Sequence, residues 1–398
     1  MNLKRLLLFL FSYIISFLIP RSKNMLVIGS RDGKRFADNS RYFFFYLLKN
    51  YNYKIIWLTK SEKIEKYLIS KKYKVFKSNS LKGLFYGFRA KYHIFDYSEY
   101  DTNEFSSIRA SKINLGHGIY IKKIQKRIKN PNIINLIYNK LVNKKNYHIY
   151  PNKKYAWHIL NYFPKNKYNF ALSNFPRNIF LFNKKYLNSS FLTTKEKKIM
   201  NKLDKIKGVI IGYFPTWRKE GVDLFIDVKK YSELKKLNDL LKKKNSFMVV
   251  KHHSNHFIED KIHKLSKKNF FINNNLEKLS NIINLDYDID LNSILWKCDL
   301  LISDYSGAII DFLITEKPII LYIPDFKKFK RSPGIFFDYD KFHFGHRAEN
   351  FKKLLVILNK FFKNNKKFYS TYLGKRKKLR NVFFKNNNYF ENIIDLIK

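Results

Sequence analysis

Short, fully apolar runs recur along this chain, and they are the feature that most constrains its fold. Each run is rich in Val, Ile and Leu, and a segment of helical pattern separates it from the next. Strands that are apolar on both faces belong to a parallel sheet that helices cover on both sides. Four runs stand in each half of the chain: residues 24–30, 53–59, 92–96 and 112–115, then 209–212, 247–250, 299–303 and 318–323.

The spacing of these runs divides the chain into two parts. Residues 193–207 are polar, Lys-rich and helical in pattern, and they separate the first four runs from the second four. A length of 398 residues also favours two domains over one. We therefore predict an α/β protein with two Rossmann-like domains, residues 23–192 and 193–398, that face an interdomain cleft.

Composition predicts a folded protein with sizeable cores, since 45% of the residues are apolar and 18% are aromatic. A formal charge of +48 would favour nucleic acid or anionic lipid as a partner. The basic residues are scattered along the whole chain, and no zinc-knuckle or RNP-type signature is present, so no nucleic-acid partner is expected. Cys298 is the single cysteine, which excludes an intrachain disulfide and fits a reducing cytosol.

Residues 1–22 carry an apolar run, 6–19, between basic flanks. The run is shorter than the ~20 residues that span a bilayer, and no small-residue cleavage site follows it. We predict a membrane-associating segment that lies in, or dips into, the cytoplasmic leaflet. A buried first helix of the N-terminal domain is the alternative.

Polar residues follow the predicted strands, at the ends where open α/β sheets bind their ligands. After Leu115, the two glycines Gly116 and Gly118 let the backbone approach a ligand and leave the imidazole of His117 projecting. His117 is therefore a candidate general base or phosphate ligand. Glycines also flank ordinary turns, which is the alternative for this segment taken alone.

Two further strand ends carry cations. Thr216 offers a hydroxyl and Arg218 a guanidinium, whose fork matches phosphate oxygens, although a solvated loop arginine is the alternative. Lys251, His252 and His253 follow one another at the next strand end, where a series of cations suits a diphosphate. Metal ligation is disfavoured there because adjacent strand residues point to opposite faces, and no carboxylate lies at a ligand spacing.

The fourth strand end has the most specific local pattern, a strand that passes through a Ser/Gly turn into an apolar helix. Ser303, Ser306 and Gly307 offer hydroxyls and free backbone N–H groups for a phosphate. Asp304 either caps the helix or binds a ligand hydroxyl. Asp311 lies one turn further on among apolar residues, where a carboxylate could hold a ribose or polyol hydroxyl. Together the four strand ends predict a phosphate-bearing ligand in the cleft.

In the order of these motifs the chain resembles a known family, the CDP-glycerol glycerophosphotransferases of teichoic-acid-like polymer synthesis. The resemblance covers most of the chain, and the collinear series is more specific than any one motif. The segments of this chain that carry the resemblance are 33–39 with Tyr42 and 47–50, 57–59, 117–118 with 122–123, 176–178, 215–218, 251–253, 303–306 with 311–312, 317–319, and Gly334 with 337–339.

The resemblance implies a GT-B fold and attachment to the cytoplasmic face of the membrane. It implies transfer of a polyol phosphate, such as glycerol phosphate, from a CDP-activated donor to a hydroxyl of a cell-surface polymer or lipid-linked glycan, with release of CMP. Residues 23–192 would form the acceptor side, and residues 193–398 would bind the CDP donor. No cofactor is expected, and the need for a metal is left open.

The resemblance also assigns roles to individual residues. His117 would take the proton of the acceptor, and His253 with Arg218 would stabilise the diphosphate and the leaving CMP, so both histidines are catalytic candidates. A loose phosphoryl transition state needs mainly positioning and charge stabilisation, which these groups can give without a metal. The remaining candidates are the donor-phosphate ligands Arg218, Thr216, Ser303, Ser306, Gly307 and Lys251, and the donor-hydroxyl ligands Asp311 and Asp304.

The chain departs from the family pattern at Gly116, Ile119, Ser254 and Gly307, where the family has Trp, Thr, Pro and Ser. These changes bear on the identity of donor and acceptor more than on the reaction class. Two other functions stay open: a GT-B glycosyltransferase that uses a nucleotide sugar for capsule or surface polysaccharide, and a basic protein that binds an anionic polymer or membrane without catalysis.

Overall fold

The computed structural model describes residues 3–121, 123, 146–153, 169–182, 191–216, 225, 228, 231–251, 278–286, 288–332, 334–335, 344–384 and 390–398. The chain divides into two compact units. Unit 1 comprises Met1–His117, Gln125–Ile179 and Phe384–Lys398, and unit 2 comprises Gly118–Ile124 and Phe180–Phe383. The domain bounds given above, 23–192 and 193–398, stay a prediction.

Within the described residues, seven parallel strands form the sheet of unit 1. They are β1 (Ser22–Ile28), β2 (Lys54–Thr59), β3 (Val75–Lys77), β4 (Ala90–Phe95), β5 (Ser111–Asn114), β6 (Asn146–Tyr150) and β7 (Asn169–Leu172). Their order in the sheet is β3-β2-β1-β4-β5-β6-β7. Leu26 of β1 pairs with Ile55 on one side and with Tyr92 on the other. All four apolar runs of the first half therefore form central strands.

Unit 2 contains a second parallel sheet, with six strands in the described part of the chain. They are β8 (Ile210–Tyr213), β9 (Phe247–Val250), β10 (Ile282–Asn284), β11 (Leu300–Ser303), β12 (Ile319–Tyr322) and β13 (His346–Ala348). The order is β10-β9-β8-β11-β12-β13. Strands β8, β11 and β12 are buried along their whole length, as fully apolar strands require.

Both sheets have the same topology, which fixes where ligands can bind. The chain adds strands to one side of β1 and then crosses to the other side at β4, and in unit 2 it does the same at β8 and β11. A crevice opens at the carboxyl ends of the strands where this order reverses. Each unit therefore has one switch point, between β1 and β4 in unit 1 and between β8 and β11 in unit 2.

Helices connect the strands and cover the sheets. They are α1 (Leu3–Leu18), α2 (Asp38–Asn50), α3 (Glu62–Ser70), α4 (Leu81–Arg89), α5 (Ile179–Phe182), α6 (Thr194–Asp204), α7 (Tyr231–Lys243), α8 (Asn292–Leu295), α9 (Ala308–Phe312), α10 (Phe326–Arg331), α11 (Phe351–Lys363), α12 (Asn365–Thr371), α13 (Leu373–Phe383) and α14 (Glu391–Asp395). In α11, Leu354, Leu358 and Phe361 recur at helical spacing, and this apolar stripe packs into the core of unit 2. Thr193 and Glu196 form a capping box at the start of α6.

Helix α1 packs on the rest of unit 1 through one narrow face. Phe9 packs against Ile108, and Ser12 and Ser16 are buried on the same side. The guanidinium of Arg109 lies 3.6 Å from the ring centroid of Phe17 and donates a hydrogen bond to the Ser16 carbonyl at 2.9 Å. The helix has 16 residues, and in the described part of the chain no helix is both long and apolar enough to cross a membrane.

Candidate active site

Polar residues meet at the switch point of unit 1, beyond the ends of β1, β4 and β5. Ser30 follows β1 and Asp96 follows β4, and Ser30 Oγ donates a hydrogen bond to Asp96 Oδ2 at 2.8 Å. His117 lies three residues beyond β5, after Gly116, whose φ of +66° is in the left-handed region that favours glycine. This turn brings His117 back towards the end of β4.

The imidazole of His117 lies against the backbone that follows β4. Its ring forms a hydrogen bond with the Asp96 backbone, and its centroid is 5.4 Å from that of Tyr97. Burial is the main cause that lowers the pKa of His117 to about 3; the cations of Arg31 and Arg177 also lower it, and Asp38 opposes them. A histidine with this pKa is neutral at pH 7 and has a nitrogen lone pair that can accept a proton.

Asp38, the first residue of α2, lies between two arginines. Arg31 Nη2 is 2.6 Å from Asp38 Oδ2, and Arg177 Nη1 is 2.9 Å from Asp38 Oδ1. Burial alone would raise the pKa of Asp38, but Arg177 and Arg31 hold it well below its usual range. Its φ of +58° costs roughly 1–3 kcal/mol, a strain that persists only where the surroundings enforce it. Asp38 therefore carries a fixed negative charge close to His117.

Asp101 ties the turn that carries Arg31 to the end of β4. Its Oδ1 accepts a hydrogen bond from Asp32 N at 2.7 Å, and its Oδ2 accepts hydrogen bonds from Tyr97 N at 2.8 Å and Asp96 N at 3.2 Å. Burial raises the pKa of Asp101 to about 6 and raises that of Asp96 well above its usual range. The carboxyl groups of Asp101 and Asp96 therefore hold the backbone around the switch point in place.

Side chains from α2 and from the turn Pro176–Asn178 hold the segment that carries His117. Asn39 Nδ2 donates to the Gly116 carbonyl at 2.6 Å, and Arg177 Nη1 donates to the His117 carbonyl at 2.8 Å. Asn39 and Arg177 were predicted only as parts of motifs, and neither they nor Arg31 and Asp38 were predicted to lie in the site. For Arg31, Asp38 and Asn39, the signal that could have found them is the series of polar residues between β1 and the apolar part of α2; no local signal points to Arg177.

The switch point of unit 2 brings together three of the predicted residues. Asp304 Oδ1 accepts hydrogen bonds from Thr216 N at 2.8 Å, from Thr216 Oγ1 at 2.7 Å and from Tyr305 N at 2.6 Å. Ser303 Oγ donates to the Phe214 carbonyl at 2.6 Å. The loops after β8 and β11 are therefore joined side by side through buried polar groups.

Ser306 and Asp311 lie further along the same connection. Ser306 Oγ accepts a hydrogen bond from Ala308 N at 3.3 Å and so contributes to the start of α9. This helix has five residues and continues into the 3-10 turn Leu313–Thr315. Asp311 is buried within α9, with 1% of its surface exposed.

Lys251, at the end of β9, is also buried, and its Nζ donates a hydrogen bond to the Asp286 carbonyl at 3.1 Å. The ammonium group thus bridges the residues that follow β9 and β10. The other predicted cations of these strand ends, Arg218, His252 and His253, lie outside the described residues. Among the residues that the structure describes, no cluster of His, Cys, Asp or Glu could hold a metal ion.

Residues 11–397 match the family model described as CDP-glycerol:poly(glycerophosphate) glycerophosphotransferase. The chain belongs to this family. It is therefore a glycerophosphotransferase, an enzyme that transfers glycerol phosphate from CDP-glycerol to a polymer. The resemblance drawn from the motif series is confirmed, and the alternatives of a nucleotide-sugar glycosyltransferase and of a non-enzymatic binding protein are not favoured.

Individual relatives agree with the family model. Over 365 residues, 86% of this glycerophosphotransferase and 85% of the relative, the chain is 28% identical to the teichoic acid poly(glycerol phosphate) polymerase of Bacillus spizizenii. Its fold is similar to that of the wall teichoic acid polymerase TagF, with a TM-score of 0.68 and 21% identity over 95% of this chain and 89% of that one. A histidine variant of TagF gives a TM-score of 0.69 and 20% identity, over 97% and 92% of the two chains. The predicted GT-B-like α/β fold is confirmed.

Two departures of this glycerophosphotransferase from the family pattern touch each other. A Cβ atom on Gly307 would lie 2.8 Å from the carbonyl oxygen of Ile119, closer than such atoms approach in proteins. The φ of Gly307 is −58°, which any residue adopts, so crowding alone requires the glycine. The backbone at Ile119 thus fills the space that a serine side chain at 307 would need.

We expect Gly307→Ala to lower the free energy of unfolding by about 1–3 kcal/mol, because the added methyl group must displace the backbone at Ile119. Urea denaturation measures the change. Gly374→Ala is the matched control, since a Cβ there meets no atom within 4 Å, and it should leave stability unchanged or raise it slightly. Equal stability of the two variants would contradict the crowding.

Proposed function

We propose that this glycerophosphotransferase uses His117 as its general base to add glycerol phosphate to a hydroxyl of an anionic cell-surface polymer or a lipid-linked glycan. The observation that carries this proposal is the position of the His117 imidazole at the switch point of the first sheet, against Tyr97 and beside the ion pair of Asp38 and Arg177. A neutral imidazole can accept a proton, and a switch point is where such folds bind ligands.

In the proposed reaction the acceptor hydroxyl oxygen attacks the β-phosphorus of CDP-glycerol, and its proton passes to the imidazole of His117. A bond forms between the acceptor oxygen and the β-phosphorus. The bond from that phosphorus to the bridging oxygen breaks, and CMP leaves with the bridging oxygen and its electron pair. Such a transition state is loose, so positioning and charge stabilisation supply most of the catalysis.

The residues at the switch point of unit 2 are proposed to hold the donor. Ser306 would donate its hydroxyl to the phosphates, and Thr216, whose hydroxyl hydrogen is bound by Asp304, would line the phosphate site. Ser303 and Gly307 would shape the loop, and Asp311 would bind a hydroxyl of the donor. Asp304 would hold Thr216 in place through the two hydrogen bonds that join them. Lys251, Arg218 and His253 remain the proposed cations for the diphosphate.

The experiment that tests this function measures CMP release from CDP-glycerol, CDP-ribitol and a panel of nucleotide sugars. Each donor is tried with and without a lipid-linked or poly(glycerol phosphate) acceptor. We expect CMP from CDP-glycerol only when the acceptor is present, and analysis of the product decides between single addition and polymerisation. Release of a nucleotide from a nucleotide sugar, with none from any CDP-polyol, would refute the proposal.

We further propose that α1 attaches the enzyme to the cytoplasmic face of the membrane. In the described part of the chain its outward face exposes large apolar side chains: Leu7, Leu8, Leu10, Phe11, Ile14, Phe17 and Leu18. The opposite face is fixed to the rest of unit 1 by Phe9 and by the hydrogen bond that Arg109 donates to the Ser16 carbonyl. A helix held in this way, with a basic start, suits the boundary between headgroups and acyl chains.

Placing acidic side chains on this face should weaken membrane binding. We expect the double variant Phe11→Glu/Ile14→Glu to bind anionic phosphatidylglycerol vesicles at least tenfold more weakly, since burying each apolar side chain contributes about 1.5–3 kcal/mol. Vesicle flotation measures the bound fraction. Val356→Glu, at an exposed apolar position on α11 of unit 2, is the control and should bind as the wild type does. Undiminished flotation of the double variant would exclude α1 as the attachment site.

A further inference from the structure

Side chains hold the carbonyl groups of the segment that carries His117. Beyond the end of β5, the Leu115 and Gly116 carbonyls accept hydrogen bonds from Asn39 Nδ2 at 3.3 and 2.6 Å. The His117 carbonyl accepts a hydrogen bond from Arg177 Nη1 at 2.8 Å. Three successive carbonyls are therefore fixed by two side chains that come from distant parts of the chain.

These two side chains also fix each other. Arg177 N donates to Asn39 Oδ1 at 3.0 Å, so the amide of Asn39 is held at both ends. Arg177 Nη1 donates to Asp38 Oδ1 at 2.9 Å as well as to the His117 carbonyl, one bond for each of its two hydrogens. Asn39 is fully buried and Arg177 nearly so. The geometry is thus defined by packing as well as by hydrogen bonds.

The position of His117 depends on this support because glycine lies on both sides of it. Gly116 has φ +66° and Gly118 has φ +109°, values that other residues rarely adopt. A Gly-His-Gly segment has wide conformational freedom when nothing holds its carbonyls. Catalytic groups, in contrast, must be held within a fraction of an ångström of the productive geometry.

We infer that Arg177, together with Asn39, is a positioning residue that holds the His117 backbone so that the imidazole meets the acceptor hydroxyl. Asp38 acts through Arg177, because its ionised carboxylate fixes the guanidinium that reaches the His117 carbonyl. This inference rests on the proposed role of His117 as the base. The new point is that a guanidinium bound to the backbone carbonyl of His117, and not to its ring, determines how well His117 can act as the base.

The test begins with Arg177→Ala in the full chain, with CMP release from CDP-glycerol as the readout. We expect kcat to fall about 10²-fold, the typical effect of misplacing a catalytic group by about 1 Å, while KM for CDP-glycerol changes little. Added guanidinium ion should restore part of kcat, because it can occupy the vacated site between Asp38 and the His117 carbonyl. Unchanged kcat, or a loss that appears only in KM, would overturn the inference.

Two further variants separate position from charge. The charged groups around His117 are Arg31, Asp38 and Arg177, and the buried carboxyl of Asp96, which follows β4, is a further titratable group nearby. Arg177→Lys keeps a cation but loses the planar fork, so kcat should fall while the acidic limb of kcat/KM stays in place. In Arg177→Ala the limb should move to higher pH, since a cation that disfavours protonation of His117 is gone. If the acidic limb of kcat/KM moved equally in Arg177→Lys and Arg177→Ala, the charge at residue 177 would not be the cause of the shift.

Asn39→Ala provides an independent measurement if Arg177→Ala does not fold. It removes the bonds to the Leu115 and Gly116 carbonyls and the bond from Arg177 N, but leaves the ion pair of Arg177 and Asp38, so we expect a smaller loss of kcat that guanidinium does not restore. Wild-type kcat in Asn39→Ala would count against the inference.

Arg376→Ala is the matched control in unit 2. Arg376 is also buried, and its guanidinium donates to the Glu316 and Tyr369 carbonyls. This variant should lose stability without a change in kcat per folded molecule. If His117→Ala keeps full turnover, the proposed base is wrong. If His117→Ala is inactive but Arg177→Ala is not, only the positioning inference is wrong.

Discussion

His117→Ala is expected to slow CMP release from CDP-glycerol by about 10²- to 10⁴-fold, the range that general base catalysis contributes. The loss should appear in kcat with little change in KM for the donor, because the proposed role is to accept the proton of the acceptor. The measurement is steady-state CMP release with saturating acceptor. His346→Ala is a matched control, since His346 is also partly buried but packs on Phe368 in unit 2, and it should keep wild-type kcat.

The protonation state of His117 can be checked directly. With a pKa of about 3, its ring should show no titration above about pH 4 in the ligand-free enzyme. NMR titration of the ring signal that disappears in His117→Ala measures this value. A His117 ring that titrates near pH 6.5 would mean that neither burial nor the neighbouring arginines keep the imidazole neutral.

Asp304→Ala is expected to lower both stability and donor use. Asp304 Oδ1 accepts three hydrogen bonds, two from backbone N–H groups that would remain buried without this acceptor. We expect the free energy of unfolding to fall by about 2–4 kcal/mol. We also expect kcat/KM for CDP-glycerol to fall about 10²-fold, because the loop that carries Thr216 would no longer be joined to the loop after β11. Denaturation and CMP release measure the two effects.

Asp299→Ala separates these two effects. Asp299 lies at the opposite end of β11, where its Oδ2 accepts a hydrogen bond from Ile210 N at 3.0 Å and its Oδ1 pairs with Lys317. It should lower stability without lowering kcat/KM of the folded enzyme. If Asp299→Ala and Asp304→Ala reduced kcat/KM to the same extent, Asp304 would have only a structural role.

The central strands of both sheets could be predicted from the sequence because a strand that is buried on both faces is usually a short run of Val, Ile and Leu. Strands β1 and β11 illustrate this relation. The last two strands of the sheet in unit 1 could not be predicted in the same way. Strand β6, Asn146–Tyr150, and strand β7, Asn169–Leu172, contain polar residues and are partly exposed, so their sequences lack the apolar signal.

The grouping of polar residues was predictable in unit 2 and only partly predictable in unit 1. Thr216, Ser303 and Asp304 directly follow apolar strands, so the rule that ligands bind at strand ends brings them together. Asp38 and Arg177 meet across 139 residues of sequence, and neither directly follows a predicted strand. A pairing of this kind depends on tertiary structure, which periodicity and local motifs do not encode.

The last residues of the chain belong to the same unit as the first ones, and this has a consequence for synthesis. Phe390 stacks on Tyr46 at a centroid distance of 3.9 Å, and the Ile397 carbonyl accepts a hydrogen bond from Tyr53. Unit 1 is therefore completed only after the whole of unit 2 has been translated. A nascent chain that stalls before Phe384 would carry a complete unit 2 and a unit 1 whose surface around Phe43 is left uncovered, a target for chaperones.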